Sequence, residues 1–496
     1  MKKTNAIVNN VIERLGIESQ VVVKEIIIGN TKKIPAYVIY VDGEADKKLI
    51  NKTILNPLML EINEELELEE SLPEYLCKRY IPSSDTKIVK NLDELAKGIR
   101  TGNTGIIVDY LKNYIMVSSV GGQHRGISDP INEYSVKGTR ESFVEDIQTN
   151  ISIITRRIQE KGLTIENFKV GKRSQTDLSL MYIKDLVNED VLNTLKQRLN
   201  KIDVDSMSSN GVLEQFIEGN TYSIFPQVFN TERPDIVEAN LMEGRIAIIL
   251  RGVSQVITVP ALFVEFFHGV EDYTQRFWVA NFTRVLRFLS ILIIVTLPSI
   301  YLTLIKFNVQ LIPVQFIIPI SQSRVGIALT PFIEILSMEI IVELLREGGM
   351  RLPSKIAQTL SIVGGIIIGQ TAVEAKIVSP PTALIVGITV VATFLIPNYD
   401  MSLAIRLLRF AMLTIANFFG IFGIAIGWFL IITHLYRLST FGVPYFSIQD
   451  ELMKDSFIRV ALQKMNKRPE DIEKRNIIRQ GNIGIKIRGK KNEKQK

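Results

Sequence analysis

Four apolar stretches in the C-terminal part of the chain constrain its fold more than any other feature. The first, Phe288–Leu304, contains no charged residue, and further apolar runs follow at Leu360–Ile368, Thr382–Ile396 and Phe410–Ile432. An apolar run of about 18 or more residues can cross a lipid bilayer as a helix. The sequence before Arg284 is charged and mixed. We therefore predict a multi-domain protein, with a soluble N-terminal α/β region followed by a polytopic α-helical membrane domain.

Strand and turn patterns divide the N-terminal region into two α/β subdomains. In the first, VVVKEIIIG and IPAYVIYVDG are rich in β-branched residues and end at turn-forming residues, and TGIIVDYL and NYIMVSSV form a second strand group. An acidic, leucine-bearing stretch between Leu55 and Leu76 suits a helix with one solvated face. We place the subdomains at 1–125 and 126–283, and no tandem repeat is visible in the sequence.

The second subdomain shows a clear alternation of helix and strand patterns. A helix is predicted over Thr139–Gln159, with Thr139 as its N-cap and two arginines near its end, where the helix dipole favours them. A strand at Asp177–Val187, a helix at Asp190–Ile202 and a β-hairpin at Arg245–Pro260 are predicted after it.

The membrane domain is placed at 284–440, with four to six membrane segments. The stretch Leu311–Leu345 is ambiguous because its apolar part holds Pro313 and Pro319 and its remainder carries glutamates. An even number of spans would leave both ends of the chain on the cytoplasmic side, as the positive-inside rule requires for a basic tail. We therefore expect an even number.

The C-terminal tail, 441–496, is strongly basic. Residues 454–496 hold 14 Lys/Arg and 5 Asp/Glu, a net charge of +9. This charge suits the anionic cytoplasmic face of a membrane or a solvated terminus, and nucleic-acid binding is not expected because the tail has few aromatic residues. The single Cys77 excludes an intrachain disulfide and fits a reducing compartment. No cleavable signal peptide is recognisable, so the N-terminal region is expected on the cytoplasmic side.

The sequence carries no signature of an enzyme. It contains no phosphate-binding loop, no HExxH, no CxxC pair and no GxSxG elbow. Its three histidines, His124, His268 and His434, are far apart in sequence. We predict that the protein is not an enzyme and uses no metal or cofactor.

Glutamates within the apolar region are the sharpest functional signal. Glu339, Glu343 and Glu347 lie on one stripe of a predicted helix, with Glu334 on another face and Glu374 near the end of a different span. Such groups are costly in a membrane unless they meet water, a cation or a partner.

Two interpretations of these glutamates remain open. Glu334, Glu339, Glu343 and Glu374 are candidates for a cation pathway, since rings of carboxylates favour cations in pores. The alternative is internal pairing: Glu343 with Arg346, Glu347 with Arg351, and Glu374 with Lys376 or Arg324.

Glycines within the apolar runs indicate close helix packing and possible gating movement. Gly364, Gly365 and Gly369 lie in one run, and Gly423 and Gly427 repeat the spacing of four in the last predicted span, Phe410–Ile432. Small residues at this spacing allow helices to approach closely in a membrane.

Long motifs in the chain resemble those of the A subunits of spore germinant receptors, the GerA family. They lie at Val41–Met59, Asp129–Ile158, Glu232–Gly252, Leu344–Pro381 and Ser439–Phe446. The individual matching positions singled out are Pro130, Glu133, Gly138, Arg140, Phe143, Glu145, Asn150, Arg156, Arg157, Arg346, Arg351 and Pro353. Two positions depart from the family pattern: Glu44 stands where it has Leu, and Ile448 where it often has Pro.

The resemblance implies an A subunit in the inner membrane of the dormant spore, with its N-terminal domain on the spore-core side. Such subunits act with a transporter-like B subunit, which binds the nutrient, and a lipoprotein C subunit. They are thought to assemble as an oligomeric ring that opens to monovalent cations. The alternatives are a paralogous germination amplifier channel, a non-conducting scaffold and a secondary transporter subunit.

Overall fold

The computed structural model describes residues 2–15, 20–29, 33–119, 130, 133, 135, 137–352, 364–365, 369–446 and 455–465. Within these ranges the chain forms two units of strands and helices followed by a helical region. Pro353, His124, Ile448 and the tail beyond 465 lie outside the described residues, as does most of the apolar run Leu360–Ile368.

The first unit is a five-stranded antiparallel sheet with helices on both faces. Its strand order is β1-β2-β4-β5-β3. The bounds are α1 Lys2–Leu15, β1 Val21–Ile28, β2 Ile34–Val41, α2 Lys47–Ile50, α3 Leu72–Arg79, β3 Thr86–Val89, α4 Leu92–Arg100, β4 Thr104–Val108 and β5 Tyr114–Val117.

The second unit repeats this order of elements. Its sheet has the strand order β6-β7-β9-β10-β8, which is the order of the first sheet with five added to every number. The bounds are α5 Ile147–Arg157, β6 Leu163–Val170, β7 Thr176–Ile183, α6 Glu189–Asn200, α7 Asn210–Ile217, β8 Phe229–Thr231, α8 Pro234–Met242, β9 Ile246–Leu250 and β10 Val256–Val259. The two units are thus a structural repeat that the sequence does not reveal.

A shared apolar core joins the two units. Buried side chains of α1 and α4 from the first unit and of α5 and α8 from the second form one cluster between the sheets, with Leu15, Ile99, Ile154 and Leu241 fully or almost fully buried. Burial of apolar surface contributes about 25 cal/mol per Å². This continuous core holds the two sheets in a fixed relationship.

Three local predictions need correction. The helix predicted over Thr139–Gln159 begins only at Ile147, capped by Asp146, whose carboxylate accepts from the Thr149 N–H at 2.9 Å. The preceding segment is extended because the Asn150 side chain pairs with both the N–H and the C=O of Val144. In the acidic stretch, wide π-helical turns continue from α2 to Glu61, and the residues between there and α3 are not helical. The third correction concerns the last apolar run, Phe410–Ile432, whose helix is interrupted at Gly420.

The helical region begins earlier than the apolar run suggests. After a 3₁₀ turn at Phe263–Phe267 and the short α9, Glu271–Thr274, helix α10 spans Phe277–Lys306. The other helices are α11 Val314–Ser323, α12 Pro331–Met350, α13 Pro380–Thr393 and α14 Tyr399–Arg437, and residues 369–374 are also helical. A small hairpin, β11 Ser439–Thr440 and β12 Val443–Pro444, follows α14.

Helix α14 is a hairpin of two arms. Gly420 has φ 59° and ψ −137°, a non-helical conformation in the left-handed half of φ space that favours glycine. A Cβ built on Gly427 would lie 2.5 Å from the Met412 sulfur, although 15 helical residues would separate these positions by about 22 Å. The prediction of a single span over Phe410–Ile432 is therefore wrong, because the chain reverses at Gly420.

Contacts at both ends of the helical region fix the directions of α10, α12 and the two arms of α14. At the end far from the sheets, Lys306 Nζ donates to the carbonyl oxygen of Asn417 at 2.9 Å. At the near end, the Tyr399 hydroxyl lies 3.0 Å from the Met350 sulfur. Helices α10 and the first arm of α14 therefore run away from the sheets, and α12 and the second arm run back.

Candidate functional site

Glu334, at the far end of α12, is fully enclosed by partners from other segments. Its Oε2 lies 2.6 Å from Arg324 Nη1, and its Oε1 accepts from the backbone N–H and the hydroxyl of Ser379 at 2.7 and 2.6 Å. Ser379 stands directly before α13, so this carboxylate ties α12 to the start of α13. Three polar atoms around one carboxylate are a well-satisfied arrangement for a buried charge.

Glu339 and Glu343 form ion pairs with the first arm of α14. Arg409 Nη1 lies 2.8 Å from Glu339 Oε2, and Arg409 Nη2 lies 3.1 Å from Glu343 Oε1. Arg406 Nη1 lies 2.7 Å from the other oxygen of Glu343. Glu339 and Arg409 are buried, at 0% and 1% exposure. One arginine thus bridges two carboxylates of the predicted stripe.

Arginines outnumber carboxylates at this point of the helical region. Arg346, also on α12, donates to the Thr393 hydroxyl at 2.8 Å and stacks 5.6 Å from the ring centre of Phe394. With Arg406 and Arg409 there are three guanidinium groups around two carboxylates. The electrostatic field of this cluster, which we call the arginine–glutamate cluster (Glu339, Glu343, Arg346, Arg406, Arg409), is therefore not that of an open cation site in the conformation described.

The remaining glutamates are more exposed. Glu347 pairs with Arg351 at 2.7 Å, as the pairing interpretation expects. Glu374 accepts from Gln370 at 3.0 Å. The partners expected for Glu343 and Glu374 differ from those found, because Arg346 turns to Thr393 and Arg324 to Glu334. A cation-pathway role for these glutamates stays a prediction.

The glycines singled out by spacing lie in different environments. A Cβ on Gly364 would meet the Leu345 side chain at 3.3 Å, while Gly365 and Gly369 have open space beside them. In the α14 hairpin, a Cβ on Gly423 would lie 2.6 Å from the carbonyl oxygen of Ile415. Gly423 and Gly427 therefore stand where the two arms of the hairpin approach most closely.

Several family-motif residues surround one buried arginine of the second unit. Arg233, 1% exposed, donates to the carbonyl oxygens of Glu133 and Thr139, both at 3.1 Å. Gly138 leaves room for it, since an added Cβ would lie 2.6 Å from Arg233 Nη2. Glu133 accepts from the Thr231 hydroxyl and from the Glu232 N–H. Burial raises the pKa of Glu133 to about 7.

Other motif residues form ion pairs within the second unit or contact the first unit. Arg157 pairs with Glu141 at 2.6 Å and with Glu238 at 3.1 Å. The Glu44 carboxyl is buried beside Ser152 and Arg156, and burial raises its pKa to about 7. The departure from the family pattern at Glu44 thus places an acid against the motif arginine Arg156.

The remaining motif residues of the second unit are either buried or exposed on its surface. Phe143 and Pro130 are buried, whereas Arg140 and Glu145 are exposed. Phe143 donates its N–H to the carbonyl oxygen of Glu232 at 2.9 Å. This contact joins the extended segment before α5 to the end of β8.

A second charged site, which sequence reasoning missed, lies where α10 begins. Asp272 of α9 accepts from Arg284 at 3.1 Å and from Arg287 at 2.7 Å. Arg284 also pairs with Asp455 at 2.9 Å. The side-chain amide of Asn281 donates to the Arg459 carbonyl oxygen and accepts from the Arg459 backbone N–H. The segment 455–465 is thereby fastened to the start of α10. The sequence signal for this site is the pair of arginines, Arg284 and Arg287, directly before the apolar run Phe288–Leu304.

His268 is buried against this site and stays uncharged. Its Nε2 lies 3.2 Å from the carbonyl oxygen of Ser456. Burial, together with the positive charge of Arg284, lowers the pKa of His268 to about 3. Over the part of the chain described, no group of three or more His, Cys, Asp or Glu side chains is arranged to hold a metal ion.

Two of the described helices are long and apolar enough to cross a membrane, Phe277–Lys306 and Tyr399–Arg437, and Pro380–Thr393 is a shorter apolar helix. Because Tyr399–Arg437 reverses at Gly420, it consists of two shorter helical arms and is not one helix of 39 residues. These helices fit a membrane location.

Comparison with known proteins finds a protein family that matches most of the chain. A family model described as Bacillus/Clostridium GerA spore germination protein matches residues 9–471. Spore germination protein KA of Bacillus subtilis (strain 168) is 38% identical over 473 residues, covering 95% of this chain and 86% of the relative. The uncharacterized membrane protein YfkQ of the same organism is 35% identical, covering 91% and 88%. Spore germination protein GerLA of Bacillus cereus is 32% identical, covering 93% and 94%.

One solved structure is also similar in sequence. The crystal structure of the N-terminal domain of the A subunit of the Bacillus megaterium spore germinant receptor GerK3 is 30% identical and covers 52% of this chain and 94% of that one, with a TM-score of 0.39.

Proposed function

The chain belongs to the GerA family of spore germination proteins, and from this premise we propose that it is the A subunit of a nutrient germinant receptor in the spore inner membrane. In this proposal it acts with a transporter-like B subunit and a lipoprotein C subunit, and its helical regions associate into a ring that conducts cations when the germinant binds. The match to germination proteins over most of the chain supports the receptor role.

The observation that carries the conduction proposal is the arginine–glutamate cluster. Its two carboxylates lie on α12, and two of its arginines lie on the first arm of α14. A buried ion pair between two helices has two arrangements, paired and separated, and separation exposes carboxylates that attract cations. We infer that the paired arrangement belongs to the closed state.

The germinant would then be the ligand that shifts the ring between its closed and open states. A ligand shifts a two-state equilibrium only by its difference in affinity for the two states. Binding to the B subunit favours the open ring in this scheme, and opening moves α12 relative to α14. In the open state, Glu339 and Glu343 then separate from Arg409 and Arg406 and contact water and cations along the pathway.

The helix directions support a multi-pass arrangement with both ends of the chain on one side. The sheets, the junction of Met350 with Tyr399 and the segment 455–465 all lie at the near end of the helical region. Lys306 and Gly420 lie at the far end. The proposed orientation places the near end in the spore core, where the basic tail meets anionic lipid.

The test is germinant-triggered potassium release from spores that carry Glu339→Gln together with Glu343→Gln. Loss or slowing of release at normal protein level and location is expected. The matched control is Glu347→Gln, which changes an exposed glutamate on the same helix and leaves the cluster intact. Release equal to that of the control would contradict a role for the cluster in conduction or gating.

A non-conducting scaffold is the second candidate, favoured by the observation that Glu334, Glu339 and Glu343 all have cationic partners. Cation flux through the purified full-length chain in lipid vesicles separates the two. A scaffold leaves the vesicles tight, whereas a conducting ring makes them leak monovalent cations.

A further inference from the structure

A cluster of half-buried carboxylates lies where the second unit meets the helical region. Glu214 projects from α7, and Asp400 from the first turn of α14. The side-chain amide of Asn230, on β8 between them, hydrogen-bonds both carboxyl groups. One amide group thus links an acid of the soluble unit to an acid of the last helical hairpin.

Two buried side-chain oxygen atoms at the same junction, Asn210 Oδ1 and the Tyr445 hydroxyl oxygen, have no hydrogen-bond partner. Asn210 is 4% exposed, and its Nδ2 donates to the Asn230 side chain at 3.3 Å and to the Gln255 carbonyl oxygen at 3.1 Å, but its Oδ1 accepts from nothing. Tyr445 is 0% exposed and its hydroxyl is also without a partner. Burial, and after it the negative charge of Glu218, raises the pKa of Tyr445 well above its usual value.

The set has more acceptors than donors. The side-chain amides of Asn210 and Asn230 already donate their N–H groups. The backbone N–H of Gln227 donates to Glu218 at 3.2 Å. The carboxylate oxygens and Asn210 Oδ1 remain as acceptors, and the Tyr445 hydroxyl is the one side-chain donor of the set without a partner. A buried acceptor without a donor costs about 1–3 kcal/mol. A protonated carboxyl group is a further donor, so an added proton reduces the excess of acceptors over donors in the set.

The charges that face the cluster do not neutralise it. The groups acting on Glu214 are Asp400 and Glu218, both acidic. Among the described residues none of the three carboxylates forms a salt bridge, and Arg198 of α6 is committed to the Ile217 carbonyl oxygen and to the Phe441 ring.

The other titratable side chains at the junction do not change this balance. His434 of the second arm of α14 pairs with Ser223, and Tyr222 in the same loop is exposed. Like charges held close together cannot all ionise freely, so such groups share a proton.

We propose that Glu214, Glu218 and Asp400, with Asn210, Asn230 and Tyr445, form a proton-binding site that fastens the second soluble unit to the final helical hairpin. We call this set the junction site. With a proton bound, a carboxyl O–H bridges acceptors across the junction. When the proton leaves for water or buffer, the O–H electron pair stays on the carboxylate, and the negatively charged carboxylates of Glu214 and Asp400 then face each other across the contact.

The direction of the pH effect follows from the acids involved. Burial and the neighbouring carboxylates raise the pKa of Glu214 to about 7, and burial raises the pKa of Glu218. The closed junction therefore binds more protons than the separated one between about pH 4.5 and pH 7. Its stability falls as pH rises through that window and is constant above it.

The experiment is hydrogen–deuterium exchange of the full chain in lipid nanodiscs between pH 5 and pH 8, corrected for the intrinsic exchange rate. Protection of amides in α7 and in the first turn of α14 is expected to fall by up to about tenfold per pH unit up to pH 7. The double variant Glu214→Gln with Asp400→Asn should show little pH dependence there. The control Glu67→Gln, an exposed acid of the first unit, should behave as the wild type.

Three results would overturn the proposal. They are a pH-independent wild type, a double variant that keeps the wild-type dependence, and recovery of protection at pH 7 on adding Ca²⁺ or Mg²⁺ alone, which would make this a metal site. If the double variant is not recovered, Asp400→Asn alone must move the transition to lower pH. The readout involves no ion flux, so its failure is distinct from failure of the proposed receptor function.

Discussion

Arg409 of the last helical hairpin lies 2.8 Å from Glu339 of α12, and neither side chain is more than 1% exposed. Their nearest atoms are within ion-pair distance but are not aligned as a hydrogen bond. Removing one partner of a buried pair leaves an uncompensated charge, which typically costs about 3–5 kcal/mol.

We therefore expect Arg409→Gln to lower the stability of the helical region by about this amount. The measurement is thermal unfolding of the full chain in detergent. Adding Glu339→Gln should recover part of the loss, since no lone charge then stays buried at that pair. Arg351→Gln, which breaks an exposed pair on α12, is the control and should change little.

The tight contact at Gly138 leads to a second prediction. An alanine Cβ there would lie 2.6 Å from Arg233 Nη2, so Gly138→Ala should displace Arg233 from the carbonyl groups that it binds. A loss of about 1–3 kcal/mol in unfolding free energy is expected. Gly211→Ala meets nothing within 4 Å in α7 and should be neutral or stabilising. Equal effects of the two changes would refute this account of the motif glycine.

The α14 hairpin predicts a difference between two helical glycines. Gly423→Ala brings a methyl group 2.6 Å from a backbone carbonyl oxygen of the opposite arm, which cannot rotate away. Gly387→Ala, in the middle of α13, meets open space. We expect only the first change to reduce the yield of folded protein in membranes, measured as the monodisperse fraction after extraction. A single straight helix over Tyr399–Arg437 would make the two variants alike.

Glu133 makes the stability of the second unit depend on pH. Because its pKa is raised to about 7 in the folded chain, folding binds a proton there between about pH 4.5 and pH 7. The stability contribution falls as pH rises through this window, by up to about 3 kcal/mol. In Glu133→Gln, the difference between unfolding midpoints in urea at pH 5 and pH 7.5 should shrink. Glu67→Gln should leave that difference as in the wild type.

The contact between Asn281 and Arg459 fastens the segment 455–465 to α10. Asn281→Ala removes both hydrogen bonds to the Arg459 backbone. Faster cleavage of this segment by trypsin is expected, because local opening precedes proteolysis. Thr283→Ala, on the same helix but bonded only to carbonyls of its own turn, is the control. Unchanged cleavage in the asparagine variant would mean that Arg284 and Asp455 hold the segment without it.

Local patterns in the sequence were sufficient for much of the fold. The hairpin at Arg245–Pro260 forms as β9 and β10, and the helix at Asp190–Ile202 forms as α6 with Asn188 as its N-cap. Alternation of apolar residues and turn residues is a property of neighbouring positions, so it can be recognised without the rest of the chain. The family motifs were recognisable for the same reason.

The sequence by itself determined the division into a charged part and an apolar part, most strands and helices, and the family. It also identified the acids that need partners in an apolar region. Tertiary structure alone decided which partners they have: Arg406 and Arg409 reach Glu343 from another helix, Gly420 turns one apolar run into two arms, and Asp400 meets Glu214 across the junction. Periodicity reports which face of an element is apolar. The pairing of charges depends on distances between residues far apart in the chain, which are set only when the helices pack.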